Sequence, residues 1–117
     1  MDQHRSSYKH YAINVGAADT EMVAAAVGQR HVVHGLVITG DAAGIIALVS
    51  DGSGDTEIAS FRLTALTAAG ALGHLELPFC EAGWCKTAEN EALDLRLTTT
   101  ANADGVLIYS TIDAGEF

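Results

Sequence analysis

The sequence predicts an all-β domain, an eight-stranded antiparallel β-sandwich of jelly-roll type, and three observations carry that expectation. Leu75, Leu77 and Phe79 alternate with His74, Glu76 and Pro78, and Leu93, Leu95 and Leu97 alternate with Asp94, Arg96 and Thr98. A period of two marks a strand with one face in a core and one in water. Turn-forming residues punctuate the chain at short intervals, with 12 Gly beside a single Pro, which suits many short strands. The 117 residues suffice for one core and not for two. About eight short strands pack as two sheets, for which a jelly roll is the first choice.

Taken in order, residues 1–7 (MDQHRSS) show no periodicity and read as an N-terminal arm. The domain proper spans residues 8–112, with a short tail at 113–117. Tyr8 to Val15 has strand content, and Gly16 to Asp19 turns the chain. Glu21 to Val27 is short and flanked by turns, so a strand is favoured over a helical turn. Arg30 to Thr39 is rich in β-formers, and Gly35 inside it signals a bulge or a close backbone approach. Ile45 to Ser50 is continuously apolar, as in a strand covered on both faces. Asp51-Gly52-Ser53-Gly54-Asp55 is the strongest turn signal. Glu57 to Leu63 alternates. The two opening strands follow, joined by a polar link, Cys80 to Glu91, that carries the only Trp. Asn102 to Gly105 reads as a hairpin turn, and Val106 to Ile112 as the last strand. The expected core is Leu36, Ile38, Phe61, Leu63, Leu75, Leu77, Leu93, Leu95, Leu97, Val106 and Ile108.

Charge narrows the partners. Fifteen acidic and six basic residues give a net charge of −9, which argues against nucleic acid, because phosphate neutralisation needs clustered Lys and Arg. No run approaches the roughly 18 apolar residues of a membrane span. The first residues lack the apolar core of a signal peptide, so synthesis and residence in a cytoplasm, or in particles assembled there, are expected. In that setting Cys80 and Cys85 read as free thiols before a disulfide.

Motifs that carry chemistry are sparse, and neither a reaction nor a cofactor is expected. His31 and His34 are three apart on a predicted strand, so period two sends them to opposite faces unless Gly35 marks a bulge. They read as surface or interface histidines rather than metal ligands. The DGSGD run resembles the opening of a calcium loop, but Glu57 comes too early to close one. His74 could approach Cys80, yet no oxyanion-type turn accompanies the pair. Trp84, between Gly83 and Cys85, is expected to fold back and plug one end of the sandwich, with a sugar-stacking platform as the other reading. Tyr8, Tyr11 and Tyr109 are expected to bury their rings with hydroxyls at the rim.

The segment AGWCKTAENEALDLRL, followed by Gly105-Val106-Leu107-Ile108-Tyr109, resembles a group of small tailed-bacteriophage virion proteins. In these a Pro-Phe pair ends a strand, and a Gly-Trp, a Thr-Ala and a Glu-Ala-Leu lead into an alternating strand. A Gly-Val-hydrophobic-Tyr strand closes the domain. Ala24 to Val37 matches their small loop entering a long strand, and the likeness spans residues 11–112. The resemblance implies a non-enzymatic capsid decoration (cement) protein on the outside of a phage head, bound to the major capsid protein. The alternative it implies is a receptor- or carbohydrate-binding module of a tail or fibre. Cys80 and Cys85 depart from that pattern.

Assembly is expected from the strands. Ile45 to Val49 is apolar on both faces, and Val33 and Val37 oppose Leu36 and Ile38. A second apolar face needs a second partner, so Val33, Val37 and Ile46 are candidate contacts with another copy. The resemblance implies a homotrimer at threefold positions of the capsid. His4, Arg5 and Lys9 place basic character in and beside the arm of an acidic chain, and are candidate contacts to acidic surface.

Overall fold

Most strands form where the sequence places them, but Ala103 to Gly105, expected in a hairpin turn, begin the last strand. The computed structural model describes residues 8–16, 19–42, 44–52, 54–65, 73–98 and 102–113. Among these lie nine strands and no helix: β1 (Lys9–Val15), β2 (Asp19–Val23), β3 (Gln29–Gly40), β4 (Gly44–Asp51), β5 (Asp55–Ala65), β6 (Gly73–Leu77), β7 (Cys85–Lys86), β8 (Ala92–Leu97) and β9 (Ala103–Asp113). The count is nine rather than eight because the link read as a loop contributes β7, two residues paired to Val32 and Val33 of β3. β2 starts earlier than expected and stops at Val23, where the chain turns back through a bond from the Gln29 amide to Ala26 O. The arm and residues 114–117 of the tail lie outside the described residues.

Every pairing is antiparallel. One sheet runs β1-β9-β3-β6, with β7 also on β3, and the other runs β2-β8-β4-β5. They merge where Thr64 and Ala65 of β5 pair with His74 and Gly73 of β6. The result is one sheet folded over on itself, close to a barrel and open between β1 and β2. Its Cα extents of 49 × 32 × 18 Å fit two layers about 10 Å apart. Between them Leu36, Ile38, Ile46, Leu48, Leu63, Leu93, Leu95 and Leu107 are fully buried.

The core differs from expectation at β9. Leu107 faces inward, opposite Leu36 and Tyr11, whereas Val106 and Ile108 are half-buried on the outer face. In Val106-Leu107-Ile108 apolar residues occupy both parities, so only the ladder decides which one enters the core. Phe61 and Leu75 do pack against the core, though each is only partly covered.

β4 corrects the assembly argument. It is a central strand between β5 and β8, and Ile46 and Leu48 fill the core. Its outer face is covered from within the chain. Arg96 on β8 donates from Nε to Asp19 on β2 (2.9 Å) and from Nη2 to Asp55 on β5 (3.1 Å). The second bond crosses β4 at the face where Ala47, opposite Arg96, and Val49 are buried. Ile46 therefore has no surface to give a partner, and neither has Val33, which lies in the core opposite Tyr109 and Cys85.

Candidate functional site

The chain leaves β6 at Leu77, loops out over the edge of β3 and returns as β7. Backbone bonds tie this loop down: Cys80 N to His34 O (2.8 Å), Gly83 N to Cys80 O (3.0 Å) and Trp84 N to Val33 O (2.7 Å). Gly83 closes the turn at φ +92°, and a Cβ there would meet Val32 Cγ1 at 2.5 Å. Only glycine meets both conditions.

His34 pins the loop from beneath. Its Nδ1–H donates to Cys80 O (2.9 Å), and its Nε2 accepts from the Ser110 hydroxyl (2.7 Å). Because a carbonyl can only accept, the bond to Cys80 sets the tautomer. The Phe79 ring stacks on this imidazole at 5.8 Å, and Tyr8 meets both rings edge-on at 4.8 and 5.2 Å. Phe79 is left 52% exposed. Beside it lie Val37, 39% exposed, and the half-buried Val106 and Ile108, whose Cδ1 reaches within 3.5 Å of a Cβ built at Gly35. Together these residues form an apolar strip on the outer face of the β1-β9-β3-β6 sheet.

Trp84 is 44% exposed, so it does not plug the sandwich. Its Nε1–H donates to Pro78 O at 2.9 Å, which satisfies the polar edge and leaves ring surface in solvent. Behind it opens a recess of about 170 Å³ lined by Val32, Ala82, Gly83, Trp84, Cys85 and Lys86. Burial pushes the Cys85 thiol up to about 11, so it stays protonated and inert.

The opposite outer face is charged. Asp94 lies between Val49 of β4 and Glu21 of β2, with its Oδ1 buried and unpaired among the described residues. Burial raises its carboxyl to about 7, helped by a hydrogen bond with Asp51 and by the charges of Asp51, Glu21 and Asp55.

Of the residues named from sequence, Val37 and Lys9 are exposed, Val33 and Ile46 are core, and His4 and Arg5 lie outside the described residues. The bulge suspected at Gly35 is present between Val33 and Gly35, yet the two histidines do not converge. His31 bonds Thr111 and His34 bonds Ser110, consecutive residues of β9 that point to opposite faces. Both are buried rather than at the surface. Among the described residues no three His, Cys, Asp or Glu side chains group to hold a metal ion, and Ser53 of the DGSGD run lies outside them. His74 bonds Thr39 and Glu76. Phe79, read from sequence only as the end of a strand, is the most exposed aromatic among the described residues. Its position after Pro78, which closes the strand, was the available signal.

No protein family matches the chain, and no curated protein sequence matches it. Solved structures that superpose on it include one described as CBM4 structure and function, at 10% identity and TM-score 0.33, covering 92% of this chain and 95% of that one. A mutant family 29 carbohydrate-binding module complexed with cellulohexaose gives 9% and 0.32, covering 95% and 96%. The infectious bursal disease virus VP2 subviral particle gives 12% and 0.31, covering 95% of this chain and 31% of that one. The neighbours thus include carbohydrate-binding modules and a viral capsid protein, and superpositions this loose carry no argument about function.

Proposed function

We propose that this chain is a virion structural protein that decorates the head of a tailed bacteriophage, seating the apolar strip of Phe79, Val37, Val106 and Ile108 on the major capsid protein and stabilising the shell from outside. One observation carries the reading: in a chain of net charge −9, apolar surface is gathered on one sheet face and held rigid by His34. Contiguous apolar patches of this kind mark docking surfaces. The strand orders 1-9-3-6 and 2-8-4-5, with β7 set aside, support a jelly roll, an architecture found among capsid domains. The likeness of residues 11–112 to small phage virion proteins points the same way. In this reading the copies form a homotrimer, His4, Arg5 and Lys9 reach toward acidic surface, and no reaction is catalysed.

The test is sedimentation of purified protein with phage heads that lack it. Parent protein co-sediments and raises the temperature at which heads rupture, whereas Phe79→Asp and Val37→Asp lose both effects. Undiminished binding by Phe79→Asp refutes the docking face. Unchanged binding after deletion of residues 1–7 removes the arm from the mechanism.

The exposure of Trp84 favours one second reading, a carbohydrate-binding module of a tail or fibre, since an exposed indole can stack on a sugar ring. Glycan-array binding abolished by Trp84→Ala would select it over head decoration.

A further inference from the structure

The loop from β2 to β3 carries a feature that head binding does not use. Val27 is 95% exposed, and Ala24 and Ala25 beside it are exposed as well. An apolar tip of this kind on an acidic chain is unusual, and this one is also held rigid. His31, buried beneath, donates Nε2–H to Ala24 O (2.8 Å) while its Nδ1 accepts from the Thr111 hydroxyl (2.8 Å). Gln29 N donates to Ala26 O (3.1 Å), Gly28 N to Asn90 Oδ1 (2.6 Å), and Asn90 N to Gln29 O (3.0 Å). Gly28 at φ 73° and Asn90 at φ 68° take the left-handed conformations that the two linked turns require. A tip fixed in this way loses little conformational freedom when it binds.

The same end of the molecule holds the recess beside Trp84. It opens at Val32, three residues and about 10 Å along β3 from Gln29. At about 170 Å³ it is smaller than the ~300–1,000 Å³ of ordinary small-molecule pockets, a scale suited to one aliphatic side chain. The tip of the same chain does not fill it, since Val27 stands in solvent.

We infer that Val27 of one copy seats in the Trp84 recess of the next, joining copies of this chain head to tail. Charge agrees with the fit. Lys86 lies at the rim of the recess, and Glu89 is exposed beside Asn90 at the base of the Val27 tip. Seating the tip brings the Glu89 of one copy toward the Lys86 of another. Knob and recess differ, so the contact is heterologous, and with both at one end of the molecule it can close into a small ring about a single axis. The inference rests on the self-association proposed above, and it supplies the contact that Val33 and Ile46 cannot make.

Trp84 is the only Trp, so its fluorescence reports occupancy of the recess. In a dilution series followed by light scattering, the parent associates, with a plateau at three copies, and its emission shifts to the blue as it does so. Val27→Asp, at an exposed site that leaves the fold unchanged by circular dichroism, stays monomeric with red-shifted emission at every concentration. Lys86→Glu weakens association at least tenfold, and adding Glu89→Lys restores it. A mixture of Val27→Asp, which keeps its recess, and Trp84→Ala, which keeps its tip, forms a one-to-one pair although neither self-associates. Association of Val27→Asp equal to the parent, or a parent that is monomeric throughout, overturns the inference. Phe79→Asp separates the two proposals, because it loses head binding while self-association persists.

Discussion

Replacing Leu95 with alanine removes the branched end of a side chain with no exposed surface. Leu95 lies at the centre of β8, opposite Leu48 on β4 and Thr20 on β2. Two terms add. Losing the burial of the leucine costs up to about 1.5–3 kcal/mol, and the cavity adds roughly 24 cal/mol per Å³ left unfilled. Flanking strands on both sides limit collapse into the space, so a total of about 3–4 kcal/mol is expected. For a domain this size each kcal/mol lowers the melting temperature by about 4 °C or more, so the variant should melt some 12–16 °C below the parent. Leu95→Asp adds a buried carboxylate without a partner, several kcal/mol more. That sum approaches the whole stability of a small domain, about 5–15 kcal/mol, and the variant should not fold. Differential scanning calorimetry of both, with Glu76→Ala as an exposed control, checks this. Leu95→Ala melting within about 3 °C of the parent would mean that β8 does not present this face to the core.

Three further outcomes are expected. The Asp94 carboxyl lies at about 7 in the folded chain and 3.8 in the unfolded one, so the native state holds its proton more tightly. The stabilisation is complete below 3.8 and lost as pH rises through 7. The parent should therefore melt lower at about pH 8 than at about pH 5, and Asp94→Asn should reduce that slope; an unchanged slope would contradict the placement of Asp94. His31 has the opposite sign, because burial lowers its pKa from 6.5. Its contribution is full above 6.5 and lost as pH falls toward the folded value, and an NMR titration of its ring above 6.5 would refute this. At about pH 8 iodoacetamide should modify Cys80 well before Cys85, whose buried thiol lies near 11, and Cys80→Ser with Cys85→Ser should still fold; equal labelling of the native protein would count against it.

The sequence by itself determined where most of the strands lie and, along β5 and β8, where apolar and polar residues alternate, which face enters the core. At β8, Leu93, Leu95 and Leu97 are separated by Asp94 and Arg96, and no other parity hides the leucines from water. The all-β class follows from the same alternation. Where both parities are apolar the chain carries no such instruction. Val106-Leu107-Ile108 could present either set, and the ladder of β9 with β1 and β3 selected Leu107. The doubly apolar β4 asked for a second cover, and sequence could not say that its outer face is buried within the chain, with Arg96 bonded across it to Asp55. The burial of His31 and His34, the pairing of β7 and the placing of Trp84 also depend on partners tens of residues away, among them Ser110, Thr111, Thr87 and Val33. Alternation is a property of neighbours along one strand and can be read from the chain. Cover for a second face, and partners for a buried imidazole, come from residues far apart in sequence, and only the folded structure brings them together.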